Sequence, residues 1–294
     1  MMRLACIHTH TNFCDGSDDV ETFCKAACEK GLKSLGFSAH APVLSKTGLH
    51  SDWHLPDEKL EEYLDSVRAA KKRWEGKLPV YLGLEVDFIS GIMGPTDREY
   101  GEMNLDYIIA SVHYVVPPKG EPFTVDGPME EVIQGINEGF GGDQMRFVEA
   151  YLDAEIAMIR SGGFEVLGHP DLIKINNYRL KGGGKKMFSE DSDFYREKTA
   201  LIARLMAEKG LTVELNTGGL NRDRIDECYP SVSFLKLFRE NGVPIVINAD
   251  AHRAKDLGGN YEEALKSMRT AGYTETVLFE GRVDGKTVWS CQKL

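Results

Sequence analysis

Leu-Ala-Cys-Ile-His-Thr-His, residues 4–10, is a short apolar run that ends in two histidines two positions apart. In an extended chain, side chains at i and i+2 point to the same side, so His8 and His10 can address one centre. The same ending recurs along the chain. Leu-Gly-Phe-Ser-Ala-His ends at His40, Val-Tyr-Leu-Gly-Leu-Glu-Val-Asp on Glu85 and Asp87, and Ile-Ile-Ala-Ser-Val-His on His113. Glu-Val-Leu-Gly-His ends at His169, and Ile-Val-Ile-Asn-Ala-Asp-Ala-His on Asp250 and His252. In a parallel sheet or barrel the C-terminal ends of all strands lie on one face, so these residues are predicted to converge.

Outward from these runs, apolar β-branched segments alternate with longer segments of helical periodicity, the pattern of βα units around a parallel sheet. Strands are predicted near 4–8, 33–38, 78–86, 105–113, 164–168, 211–216, 243–248 and 275–279, with helices near 18–30, 56–74, 143–161, 191–209, 231–241 and 259–271. Ser17 or Asp18 suits the N-cap of the first helix, and Gly210 and Gly272 each follow a helical run where a left-handed C-cap is easiest. This regular punctuation predicts one α/β domain over residues 1–294. Two stretches, 114–142 and 171–190, read as long loops able to cover a site. Lys181-Gly-Gly-Gly-Lys-Lys186 lacks the Gly-Lys-Ser/Thr ending of a phosphate cradle and reads as a solvated loop.

Bulk properties exclude several classes. No run approaches the roughly 20 apolar residues of a membrane span, and no export signal precedes His8. The six cysteines form no Cys-x-x-Cys pair, which predicts a reducing cytoplasm rather than a disulfide scaffold. Cys24 and Cys28, one helical turn apart, are expected in the core. With 35 basic and 46 acidic residues the formal charge is −11, which disfavours an extended grip on nucleic acid. A small phosphorylated substrate would instead need local positive charge, which bound metal ions supply.

Six histidines and at least two carboxylates at separate strand ends are too many polar groups to bury unpaired, and metal coordination satisfies them together. Imidazole mixed with carboxylate suits Zn, Mn or Fe, and the number of donors exceeds one tetrahedral ion, so a multinuclear site is predicted. Asp15, in an Asp-Gly pair, fits a ligand or an ordinary turn residue equally on spacing alone. His50 and His54, in a loop with Trp53, match no strand end and read as surface or substrate contacts.

As a set, His-Thr-His at 8–10, Gly-His-Pro-Asp-Leu at 168–172, Glu-Leu-Asn-Thr at 214–217 and Asp-Ala-His at 250–252 resemble the polymerase and histidinol phosphatase superfamily, within it the histidinol-phosphate phosphatase branch. The resemblance spans nearly the whole chain. It implies a distorted (β/α)₇ barrel with three divalent transition-metal ions at the C-terminal ends of the strands. It further implies that His8, His10, Glu85 and Asp250 hold the first ion, that Glu85 bridges to a second held by His113 and His169, and that Asp15, His40 and His252 hold the third. Residues 114–128 are not the short aromatic stretch associated with that branch, and Ile-Asn precedes Ala-Asp-Ala-His where Gly-Ser is commoner. Both departures bear on the substrate pocket rather than on a ligand.

The activity so implied is phosphomonoester hydrolysis, of L-histidinol phosphate in the first instance, by attack of a metal-bridging hydroxide, with Glu85, Asp250 and His252 nearest the chemistry. Candidate substrate contacts are Arg253, Lys174, Arg179, Arg222 or Arg224, and Asn216, which could orient substrate or a ligand. A nucleotide phosphoesterase or exonuclease, or a metal-binding module without catalysis, remain the alternatives.

Overall fold

The computed structural model describes residues 4–180 and 186–294. Strands β1 (Leu35–His40), β2 (Val80–Asp87) and β3 (Tyr107–Ser111) are followed by a small hairpin, β4 (Tyr114–Val115) and β5 (Phe123–Thr124). Then come β6 (Val166–Leu167), β7 (Thr212–Asn216), β8 (Ile245–Asn248), β9 (Glu275–Val283) and β10 (Lys286–Lys293). One sheet runs β1-β2-β3-β6-β7-β8, every pair parallel. Its strands are buried on both faces, which is why they read as continuous apolar runs rather than alternating ones.

The segment predicted as the first strand closes this sheet on itself without becoming a regular strand. It makes single parallel bridges on each side, Cys6 to Leu35 and Thr9 to Ala251. Ser38 N–H donates to Thr9 O (3.0 Å) and His10 N–H to Ala251 O (2.9 Å), while Ile7 N–H is taken by the Asn248 side chain (2.9 Å) instead of a ladder partner. Six strands and this segment make the distorted (β/α)₇ barrel. Inside it, the Tyr107 hydroxyl donates to Ile7 O (2.5 Å) or Phe37 O (3.1 Å). Gly36 and Gly83 make room for that ring: a Cβ at either position would lie 2.5 Å from it.

The helices are α1 (Val20–Glu29), α2 (Leu60–Arg73), α3 (Arg98–Gly101), α4 (Met129–Phe140), α5 (Gln144–Ser161), α6 (Ile175–Arg179), α7 (Asp193–Lys209), α8 (Gly218–Asn221), α9 (Val232–Glu240) and α10 (Tyr261–Ala271). Each of the six predicted helices is present. Gly210 and Gly272 close α7 and α10 in the left-handed conformation. Region 114–142, predicted to be irregular, contains the β4–β5 hairpin and α4. Gly135 and Gly139 weaken the helical signal of α4, yet they let it pack closely, since a Cβ would meet Phe123 at 2.6 Å and Pro117 at 2.4 Å.

Two further expectations are corrected. The run near 275–279 is not a barrel strand: β9 pairs antiparallel with β10. Its Val277 and Phe279 pack with Tyr81, Tyr107, Ile109 and Val166 against the N-terminal ends of the barrel strands, opposite the histidines. Cys24 is in the core, but Cys28 is exposed on the outer face of α1. Residues 181–185 of the Gly-rich loop lie outside the described residues. Among the described residues no helix is long and apolar enough to cross a membrane.

Candidate metal centre

Every one of the predicted strand-end histidines arrives on the same rim of the barrel. His40 ends β1, Glu85 and Asp87 end β2, His113 and His169 follow β3 and β6, and Asp250 and His252 follow β8. All but His252 are buried, although nothing in their chemistry favours leaving water alone.

Glu85 is the hub. Its Oε1 accepts from Ser111 Oγ (2.7 Å), lies 3.0 Å from His169 Nε2 and 3.7 Å from His113 Nε2. Its Oε2 faces His8 Nε2 at 3.2 Å, His10 Nε2 at 3.4 Å and His40 Nδ1 at 3.0 Å. Those four atoms are buried, and none of them makes a hydrogen bond in the structure. Lone pairs that crowd together unpaired in this way fit a common positive ion between them. Asp250 completes the first group, with Oδ1 3.2 Å from His10 Nε2 and 3.7 Å from His8 Nε2. Its left-handed φ of 47° turns the carboxylate back over the rim, a conformation Asp tolerates better than most residues.

A second cluster lies at the cleft surface. Asp15 Oδ2 is 3.0 Å from His252 Nε2, and its Oδ1 is 3.7 Å from both His10 Nδ1 and His40 Nε2. Gly16 permits this turn, because a Cβ there would sit 2.1 Å from His10 O. Donor atoms of His10, Asp15, His40 and His252 lie within 4.8 Å of one another, as do those of His8, His10 and Glu85, of His8, His169 and Asp250, and of His40, Glu85 and His113. His40 therefore reaches both the Glu85 hub and the outer cluster, where the resemblance placed it with the outer one alone.

The electrostatics follow from this crowding. Burial disfavours the charge on Glu85, but the imidazoles of His8, His40 and His113 hold it far below the usual carboxylate range. Asp250 is likewise held low against burial, chiefly by Arg222 and His8. Burial, together with the neighbouring His40 and His252, pushes His10 down to about 3, so its ring is neutral and able to donate a lone pair.

Around this set lies a supporting layer, of which the sequence reading singled out Asp87 and Asn216 but gave Glu214 no role. Glu214 on β7 accepts from His8 Nδ1 (2.8 Å), from Asn248 Nδ2 (2.8 Å), from Asn216 Nδ2 (2.8 Å) and from the His169 backbone N–H (3.0 Å). It leaves His8 Nε2 facing the hub. Glu214 and Asn216 stand two apart on β7, the same spacing that marked the other pairs. Asp87 does the equivalent for His113, accepting from its Nδ1 (2.9 Å), and its other oxygen accepts from His54 Nε2 (2.7 Å). His54 is thus a buried supporting residue, not a surface one.

A cleft of about 1530 Å³ opens over the cluster, and its wall includes His50, Trp53, Tyr114, Asp126, Arg179, Arg222 and Arg224. The predicted substrate contacts divide. Arg222 lines the cleft but holds Asp250, through Oδ2 (2.9 Å) and the backbone O (2.9 Å). Arg179 lines it too, donating to the carbonyls of Asp126 (2.5 Å) and Gly127 (2.6 Å). Lys174 does not reach the cleft: it is fully buried, paired with Asp171 at 3.1 Å and donating to Cys228 O (2.7 Å). Arg253 is turned to solvent and pairs with Asp256 at 2.7 Å. Asn216 is buried beneath Asp250 and Glu214, placed to orient a ligand rather than substrate.

Comparison with known proteins agrees with this geometry. A "Probable histidinol-phosphatase" of Deinococcus radiodurans is 31% identical over 283 residues, covering 96% of this chain and 98% of its own. A "Histidinol-phosphatase" of Bacillus subtilis is 26% identical, over 88% of this chain and 97% of its own. Among solved structures, a Listeria monocytogenes protein superposes with a TM-score of 0.75 at 24% identity, over 88% of this chain and 98% of its own. A Lactococcus lactis histidinol phosphate phosphatase, complexed with Zn, L-histidinol and phosphate, gives 0.64 at 22%, over 94% and 97%. At those identities the two structures speak for the fold. The PHP domain model matches residues 7–218, well over half the chain and all but two of the converging residues, and the chain belongs to the PHP domain family.

Proposed function

We propose that the protein hydrolyses a phosphomonoester, L-histidinol phosphate, to L-histidinol and phosphate. Three divalent transition-metal ions, Zn, Mn or Fe, would be held by His8, His10, Asp15, His40, Glu85, His113, His169, Asp250 and His252. The observation that carries this reading is the set of buried, unbonded donor atoms of His8, His10, His40 and Glu85 at the floor of a cleft. Residues 1–294 would work as one unit, since the first segment and the loop after β8 share backbone hydrogen bonds beneath that floor.

Ions bound there supply Lewis acidity and concentrated positive charge. The residues do the rest. Glu214 and Asp87 fix which nitrogen of His8 and His113 faces inward. Arg222 holds the Asp250 carboxylate over the floor and meets His252 Nδ1 at 2.9 Å. Arg224, about half exposed on the wall and 3.9 Å from Asp126, is placed to meet phosphate oxygens. Water adds at phosphorus as the bond to the alcohol oxygen breaks, and the protons of water end on phosphate and alcohol.

The test is a comparison of substrates on metal-replete protein. The kcat/KM for L-histidinol phosphate is expected to exceed that for mononucleotides by at least about 100-fold, equivalent to roughly 2.7 kcal/mol of differential transition-state binding. Equal turnover of nucleotides, or of DNA ends, would overturn the substrate assignment.

A further inference from the structure

The cleft has two chemically different walls, and the metal centre accounts for only one. Where the imidazoles end, an aromatic wall begins: the Trp53 ring centroid lies 4.6 Å from that of His40 and 5.3 Å from that of His113, edge-on to both. Tyr114 lies 5.8 Å from Trp53 with the planes only 14° apart, and His54 lies 3.7 Å from it at 33°. Tyr114 and His54 are buried, whereas Trp53 is only partly so. Trp53 lines the cleft, so the open part of its ring lies directly beside the groups that would receive the phosphate.

The platform is built to stay in register with that centre. Leu55 N–H donates to His40 O (3.0 Å), and Trp53 N–H donates to Ser51 Oγ (3.3 Å). His54 is held at both ring nitrogens, by Ser51 Oγ (2.7 Å) and by Asp87 (2.7 Å), and Asp87 in turn holds His113. The two residues after Trp53 are thus tied to two of the converging histidines, His54 through Asp87 to His113 and Leu55 to His40, which holds the ring beside that centre. Asp52, exposed on the same wall, adds a negative charge. That charge favours a ring able to carry positive charge, as imidazole does near neutral pH.

We propose that Trp53, backed by Tyr114 and His54, is the specificity-determining platform on which the heteroaromatic ring of the leaving alcohol stacks. The proposal rests on the phosphomonoesterase reading above and names the part of the site that selects the alcohol.

The experiment measures kcat/KM of the metal-loaded full chain for L-histidinol phosphate and for 2-aminopropyl phosphate, which is the same amino alcohol without its ring. The ratio of the two is the readout. In Trp53→Leu the ratio should fall about 10-fold through loss of stacking and cation–π contact, while Trp53→Phe should keep it within about threefold. A purely structural role would depress both substrates in step, and an unchanged ratio in Trp53→Leu overturns the proposal. Should that variant fail to fold, intrinsic fluorescence gives a second measurement, since Trp53 is the one tryptophan among the described residues lining the cleft. L-histidinol should change the emission of the wild-type protein where 2-aminopropan-1-ol does not, and the difference should vanish in Trp53→Phe; equal responses overturn the proposal. A wild-type ratio near one overturns the substrate assignment itself, whereas a high wild-type ratio that Trp53→Leu leaves intact sinks only the platform.

Discussion

Five imidazoles surround the single carboxylate of Glu85, three at Oε2 and two at Oε1. Its charge would offset the mutual repulsion of ions held close together. Glu85→Gln keeps the shape but removes that charge and turns one acceptor into a donor. Metal content measured by elemental analysis should fall at two ion positions together, and turnover by about 10³-fold or more, as loss of a group acting on two ions predicts. Retention of full metal content would show that Glu85 does not bridge. At this scale the residues that converge on the rim, Asp15 aside, were readable from sequence because each ends an apolar run, but the support that Glu214 gives them was not. Glu214 lies inside a strand that reads as core, and its partner His8 is 206 residues away. Lys174 and Arg222 look equivalent as letters; only the folded chain turns one into the interior and the other to the cleft.

Elements were legible wherever the local signal was unambiguous, and the first helix shows where it was not. Ser17, Asp18 and Asp19 are all competent caps, and the reading chose between the first two. The structure uses Asp19, whose Oδ1 accepts from Thr22 N–H (2.7 Å). Asp18 is instead drawn to Ala254 N–H (2.8 Å), a contact across the molecule that no local pattern announces. Asp19→Ala should lower stability by about 1 kcal/mol at neutral pH in denaturant titrations, the usual worth of such a cap. The Thr22 hydrogen bonds hold the Asp19 carboxyl below its ordinary value of 3.8. A lowered folded pKa means the contribution is fully present above that value and fades as pH falls through the lower folded one. The difference between wild type and variant should therefore close only below about pH 4. A gap that closed near neutrality would assign the effect to another group.

For the molecule as a whole, the centre is a seam. Its proposed ligands come from the first segment and the turn after it, from β1 and β2 and from the turns after β3, β6 and β8, so ions bound there would tie the rim of the barrel together. They bind the folded chain and not a preformed site in the unfolded one, so they should stabilise by mass action. Elemental analysis of replete protein should give close to three ions per chain. Chelation should lower the melting temperature by at least about 5 °C in calorimetry, with recovery on adding metal back, because each tightly held ion can contribute about 4 kcal/mol at a thousandfold excess over its Kd. Fewer than two ions per chain, or a melting temperature indifferent to chelator, would remove the multinuclear centre. The barrel and its histidine rim were determined by the sequence alone, because strand and helix periods are local and parallel topology sends every strand's C-terminal end to one face. Tertiary structure alone decided how the first segment closes the ring, why β9 leaves the barrel to pair with β10, and that Trp53, with Tyr114 and His54 beside it, lines a second wall of the cleft. Those outcomes depend on which distant groups meet and which way a side chain turns, and neither is set by the residues next to it in the chain.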